Sequence, residues 1–333
     1  MKKKSRKAVV TGAAGFIGFH MARALLERGW SVSGIDNINN YYDPRIKRKR
    51  LSLLRKYPRF RLYKANLANY VAVEKILKEQ RPNEIIHLAA QAGVRHSLTD
   101  PWSYIESNEL GTLNIFEVAK RLKIKRVIYA SSSSVYGTNT KSPMSETDRT
   151  DTPISVYAAT KKANEALAHS YHHLYGIEMV GLRFFTVYGT WGRPDMALFK
   201  FVKNILAGAP IDVYNRGKMK RNFTHVSDIV AGIVALVSQR PRGRYQIYNL
   251  GGTETTPLLR FIAHIEQATG KKAKMRLLPM QSGDVRESIA DWSKAHRDLG
   301  FMPKTSMKEG IAEFVRWFCE NEKFLHTLRE PKQ

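Results

Sequence analysis

Over the first 180 residues, short apolar runs alternate with longer stretches in which apolar residues recur every three or four positions. The short runs KAVVTG (7–12), WSVSGID (30–36), FRLYKAN (60–66), EIIHLAA (84–90), RVIYASS (126–132) and MVGLRFF (179–185) predict strands, several covered on both faces. The longer stretches predict helices over 16–28, 45–56, 70–79, 102–122 and 154–175. Strict strand–helix alternation predicts an α/β fold, a doubly wound parallel sheet with helices on both faces. After residue 185 the pattern loosens, and glycines, prolines and aromatics cluster in TVYGTWGRPDM (186–196) and VYNRGKMKRNFTHVSD (213–228). Helices at 226–237, 258–269 and 307–320 and a strand in YQIYNLG complete the prediction. The expected organisation is a nucleotide-binding domain over 1–185 and a smaller α/β lobe over 186–333, their segments partly interleaved.

Composition narrows the class. A chain of 333 residues with 43% hydrophobic content can bury a sizeable core. No run of about 18 uncharged apolar residues occurs, so no integral membrane segment is expected. A lone cysteine, Cys319, excludes an internal disulfide framework and fits a cytoplasmic protein, with Cys319 expected in the core. The charge is lopsided, with 55 Lys and Arg against 29 Asp and Glu, net +26. Basic clusters at 2–7 and 45–64 raise nucleic-acid binding, but no recognition motif accompanies them. A solvated basic face attracting an anionic substrate is the expectation, with no nucleic acid.

The segment TGAAGFIG (11–18) follows a strand and opens a helix. Gly12 permits the tight turn, Gly15 admits a pyrophosphate to the backbone, and Gly18 lets helix and strand pack closely. Phe16 and Ile17 begin the helix whose N-terminus favours phosphate. Asp36 ends the second strand 18 residues beyond Gly18, placed to accept hydrogen bonds from both ribose hydroxyls and to repel a 2′-phosphate. With Asn37 after it rather than a base, the expected cofactor is NAD. Asn66 and Leu67 are candidates for the adenine, and Leu88, Ala89 and Ala90 for a close-lying dinucleotide. Asn108, a poor helix former within a predicted helix, is expected to serve the active-site strand.

Tyr157 and Lys161 in SVYAATKKANE project from one helix face, one turn apart. A nearby ammonium favours a phenolate, so the tyrosine becomes an acid or base well below its ordinary pKa. Just upstream, the run Ser131 to Ser134 ends a buried strand, where a merely flexible turn is uncommon.

TGAAGFIG, Asp36, HLAAQAGVRHS (87–97), ASSSSVYG (130–137), Tyr157-x-x-x-Lys161 and RFFTVYGTWGRPDMA (183–197) together resemble the extended short-chain dehydrogenase/reductase family. Within it they are most similar to nucleotide-sugar epimerases, in particular those acting on UDP-glucuronate. The resemblance implies a Rossmann domain with tightly held NAD, a lobe for the UDP-sugar and a homodimer built through the helices around Trp102 and Tyr157. It implies Tyr157 as catalytic base, with Lys161 lowering its pKa and holding the nicotinamide ribose, beside Ser131. It implies Ser132 on the sugar 4-hydroxyl, with Ser133 and Ser134 at the sugar and Ser134 sharing the proton relay. It also implies Arg221 on the pyrophosphate, Asp284 near the uridine ribose, Tyr214 beside the uracil, and Arg95 near sugar or pyrophosphate. No metal is expected.

Thr186 stands where galactose-type members carry asparagine, Gln281 where they carry arginine, and Arg193 adds a cation near the sugar. These favour a uronate, its C6 carboxylate held by Thr186, the serine run and Arg193. Related decarboxylases carry a glutamate before VYG and related dehydratases an Asp-Glu pair, whereas ASSSSVYG has only serines, so UDP-galacturonate is the expected product. The alternatives are a 4-epimerase of UDP-N-acetylhexosamine or UDP-galactose, and a non-catalytic NAD-binding scaffold with a basic face. Asn66, where aspartate is usual, and Thr190, where proline is usual, depart from the family pattern.

Overall fold

The structure, a computed structural model, describes residues 6–139, 141–239, 244–281 and 283–329, so most of the basic run at 2–7 lies outside the described residues. The first half runs β1 (Lys7–Thr11), α1 (Phe16–Glu27), β2 (Ser31–Asp36), α2 (Pro44–Leu54), β3 (Phe60–Lys64), α3 (Tyr70–Gln80) and β4 (Glu84–His87). It continues with the short helices α4 (His96–Thr99) and α5 (Pro101–Tyr104), a π-helical turn (Ile105–Leu110), α6 (Gly111–Arg121) and β5 (Arg126–Ser132). A 3₁₀ turn (Ser133–Tyr136), α7 (Val156–Tyr175), β6 (Glu178–Phe184) and β7 (Thr186–Tyr188) follow.

Seven strands form one sheet in the order β3-β2-β1-β4-β5-β6-β10, every pairing parallel, where β10 is Tyr245–Leu250. Strand order reverses between β1 and β4, opening a crevice beyond their carboxyl ends, where ligands of such sheets bind. Central strands are buried on both faces because helices cover both. One face packs α3, α6 and α7 through Val73, Leu77, Ile115, Phe116 and Ala168. The opposite face packs α1 and α2 and continues into the C-terminal half.

That half contains α8 (Ala197–Leu206), β8 (Ile211–Val213), β9 (Lys220–His225), α9 (Val226–Ser238), β10, β11 (Thr255–Pro257), α10 (Leu258–Thr269), β12 (Met275–Leu277), β13 (Glu287–Ser288), α11 (Ser293–Leu299), α12 (Met307–Glu320) and α13 (Glu322–His326). β9 pairs with β7, β11 and β13, so the strand carrying Arg221 is tied to the chain leaving β6. No helix among the described residues is long and apolar enough to cross a membrane.

Local sequence explains the helix ends that matter. Ser155 caps α7 by accepting from the Ala158 N–H, and Gly176, at φ +67°, closes it. Asp43 caps α2 ahead of Pro44.

Three expectations need correction. Residues 102–122 are not one α-helix: the π turn at Ile105–Leu110 adds a residue to the repeat and re-aims Glu106 and Asn108. Cys319 is exposed, because the apolar stripe of α12 runs through Phe314, Val315 and Phe318 and leaves it outside. The basic stretch of α2 is not wholly a solvated face, since Lys47 and Arg50 are buried with Ile46, Leu51 and Leu54.

Candidate active site

A continuous cavity of about 380 Å³ lies along the crevice. Its floor is the glycine turn. Gly12 sits at φ +70°, and a Cβ there would lie 2.9 Å from the Ala89 backbone. A Cβ on Gly18 would lie 2.0 Å from the Gly12 carbonyl, so glycine is required where α1 meets the turn. Gly15, Phe16 and Ile17 complete this wall. Asp36 accepts from the Ala14 N–H at 3.0 Å and the Ile38 N–H at 2.8 Å, which locks the turn to the end of β2. Asn37 lines the same stretch, as do Leu88, Ala89 and Ala90 after β4, while Asn66 and Leu67 form the far end.

Asn108 is placed differently from the expectation. Its amide bonds both ways to the Gln91 backbone, at 2.8 and 3.1 Å, and to Thr160 Oγ1 at 3.0 Å. It lies behind the cavity and braces the loop after β4 against α7, rather than serving β5.

At the other end stand Ser131 to Ser134, Tyr157, Lys161, Thr186 and Arg193. The Ser134 N–H donates to Ser132 Oγ at 3.1 Å, fixing the serine turn. The Ser131 hydroxyl donates to Glu165 at 2.7 Å, and Glu165 forms a buried ion pair with Arg183 on β6. Tyr157 lies beside Ser132, which favours its charged form, and meets the Tyr104 ring edge-on at 6.1 Å.

Burial pushes the Tyr157 phenol up, and the groups opposing that are Ser132 and the positive Arg193. The Lys161 ammonium donates to the Ala130 carbonyl at 2.9 Å. Burial lowers its pKa to about 8, against the favourable charges of Glu109 and Glu165.

Arg193 is not a surface ion pair. Its guanidinium forks onto Asp195, with Nε 2.9 Å from Oδ1, and both side chains are largely buried. Tyr41 donates to the same carboxylate at 3.2 Å. The chain leading to it is held from the nucleotide side: His20 bonds the Thr190 carbonyl, and Arg50 donates to the Trp191 and Gly192 carbonyls and to Ala14.

Four remaining candidates form a second cluster outside this cavity. Arg221 donates to Asp284 at 3.0 Å, Arg95 reaches the same carboxylate at 3.8 Å, and Arg95 stacks over Tyr214 at 5.0 Å. Side chains from β9, the loop after β4 and two loops of the C-terminal half thus converge.

Lys47, Asn39, Tyr41 and Gln91 also line the cavity and escaped the sequence reading. Lys47 donates to the Asn39 backbone and side chain at 3.0 and 2.6 Å. Its register was a usable signal: Lys47 lies one turn before Leu51, and Arg50 one turn after Ile46, on the apolar stripe.

The sequence profile of the NAD dependent epimerase/dehydratase family matches residues 8–251. The chain belongs to that family. A protein of Methanocaldococcus jannaschii described only as uncharacterized is 52% identical over 98% of this chain and 100% of its own. UDP-glucuronate 4-epimerase 6 of Arabidopsis thaliana is 45% identical over 93% of this chain and 71% of its own. The crystal structure of UDP-glucuronic acid 4-epimerase from Bacillus cereus, in complex with UDP-glucuronic acid and NAD, superposes with a TM-score of 0.90. It is 33% identical, over 94% of this chain and 99% of that one.

Proposed function

We propose that this chain is an NAD-dependent 4-epimerase that converts UDP-glucuronate to UDP-galacturonate through a 4-keto sugar. The observation that carries this is one cavity joining a Cβ-free dinucleotide cradle to Tyr157, Ser132, Thr186 and Arg193. The likeness to epimerases of UDP-glucuronate supports the same reading.

The residues fit NAD. Gly12, Gly15 and Gly18 leave the floor open at the helix N-terminus for the pyrophosphate, Asp36 takes the ribose hydroxyls, and Lys161 keeps donors for the second ribose. Bound NAD supplies reversible hydride acceptance, so that no outside oxidant is needed. Tyr157 Oη, as the phenolate that Ser132 and Arg193 favour against burial, takes the proton of the sugar 4-hydroxyl and returns it, with Ser132 bonding that hydroxyl and Ser134 beside it in the relay. Ser133, Ser134, Thr186 and Arg193 hold the C6 carboxylate near the plane of the C4 carbonyl, which disfavours loss of carbon dioxide. Arg221, with Arg95, Asp284 and Tyr214, anchors the UDP while the sugar turns over.

We assign the NAD-binding part to 1–185 and the UDP-sugar lobe to 186–333, with β10 lent back to the main sheet, and place the protein in the cytoplasm. Exposed Leu98, Trp102, Ile105 and Leu110 support a homodimer through this face, to be checked by light scattering.

Incubating the purified protein with UDP-glucuronate and following the sugar by proton NMR tests the proposal. Growth of the galacturonate signals without added oxidant is expected. Faster turnover of UDP-galactose or UDP-N-acetylhexosamine would transfer the assignment to those sugars, and no turnover of any would end it.

A further inference from the structure

The adenine end of the cavity lacks an obvious acceptor, and this has a structural answer. With pyrophosphate at the glycine turn and one ribose at Asp36, the base of the cofactor lies beyond Asp36, where the cavity ends on Ala65, Asn66 and Leu67. An adenine presents a donor there, its exocyclic amine. The Leu67 carbonyl accepts from Asn114 Nδ2 at 2.8 Å. Asn66 Oδ1 accepts from the Ala68 N–H at 3.0 Å, which fixes the amide orientation and turns Nδ2 outward as a donor. That donor meets Glu106 Oε1 at 2.7 Å.

Glu106 stands on the π turn, exposed, next to Ser107, which lines the cavity, and it makes no ion pair among the described residues. We propose that the Glu106 carboxylate, oriented by the Asn66 amide, is the acceptor for the 6-amino group of adenine. It thereby makes this site select a 6-amino over a 6-oxo purine dinucleotide. The assignment rests on the NAD reading above. It gives the π turn a purpose, since from that turn Glu106 reaches the amide of Asn66, which lines the cavity, while Asn108 bonds inward to Gln91 and Thr160.

The test uses the purified protein incubated with an equimolar excess of NAD and its 6-oxo analogue, nicotinamide hypoxanthine dinucleotide. The ratio retained after desalting is read by chromatography. The unmodified chain is expected to favour NAD by about tenfold, the scale of one hydrogen bond to a charged acceptor. Glu106→Ala flattens the ratio, Glu106→Gln flattens it too because its amide can serve either purine, and Asn66→Asp in the Glu106→Ala background restores it. A Glu106→Ala protein that keeps the full preference overturns the Glu106 assignment alone. Retention of neither dinucleotide by the unmodified chain overturns the NAD reading and this inference together.

Discussion

The two ends of the binding surface are built on different principles. Around Tyr157, polar groups are satisfied by the scaffold: Lys161 by the Ala130 carbonyl, Ser132 by the Ser134 amide, and Ser131 by Glu165. In the outer cluster the charges satisfy one another, with Asp284 shared between Arg221 and Arg95. A buried end that must hold reacting atoms gains from donors fixed before substrate arrives. An anchor for a dianionic diphosphate gains from cations resting on a removable carboxylate, which the phosphates replace. Mutations at the first end should therefore act on kcat, and mutations at the second on KM.

The largest expected effect is at Tyr157. Tyr157→Phe removes the proton acceptor and should lower kcat about 10²- to 10⁴-fold in the NMR assay, with KM little changed. Next is Arg221→Ala, which should raise KM for the UDP-sugar about ten- to a hundredfold in initial-rate measurements, with kcat nearly intact. Asp284→Asn sharpens the contrast, because it weakens an anchor of the UDP and should raise KM with kcat nearly intact. A fall in kcat alone for either variant breaks the comparison.

The third is a pH effect. Burial depresses the Lys161 pKa to about 8, so its ammonium is present below that pH and lost above it. Because the ammonium holds the second ribose, kcat should decline about tenfold per unit on the alkaline side of about pH 8. Glu109→Gln, which removes a carboxylate favouring the ammonium, should move that limb to lower pH in a rate profile. The smallest effect is Arg95→Ala. This half-exposed guanidinium gives up a stacking contact on Tyr214, and KM should rise about two- to fivefold.

Sequence carried much of this. Six strands of the first half were legible because apolar runs and their flanking helices are local signals: β1 to β5 fall within the predicted runs, and β6 begins one residue earlier. The glycine turn was legible because a left-handed residue and two close approaches demand glycine at fixed spacing. The π turn was not, since its composition also suits an α-helix and only the contacts of Asn108 with Gln91 and Thr160 distinguish the two. Nor was the short strand β8, whose pairing with β12 joins residues more than 60 apart in the chain.

By itself the chain determined which strands form, where the dinucleotide turn lies and that a phenol and an ammonium share a helix face, because each follows from backbone sterics or helical repeat within a few residues. Tertiary structure decided what those groups experience. Lys161 donates to a carbonyl on β5, Lys47 and Arg50 turn inward from a basic helix, and Arg95 and Arg221, from distant segments, meet at Asp284. Burial and charge pairing depend on what packs against a residue, and that is settled only when remote parts of the chain come together.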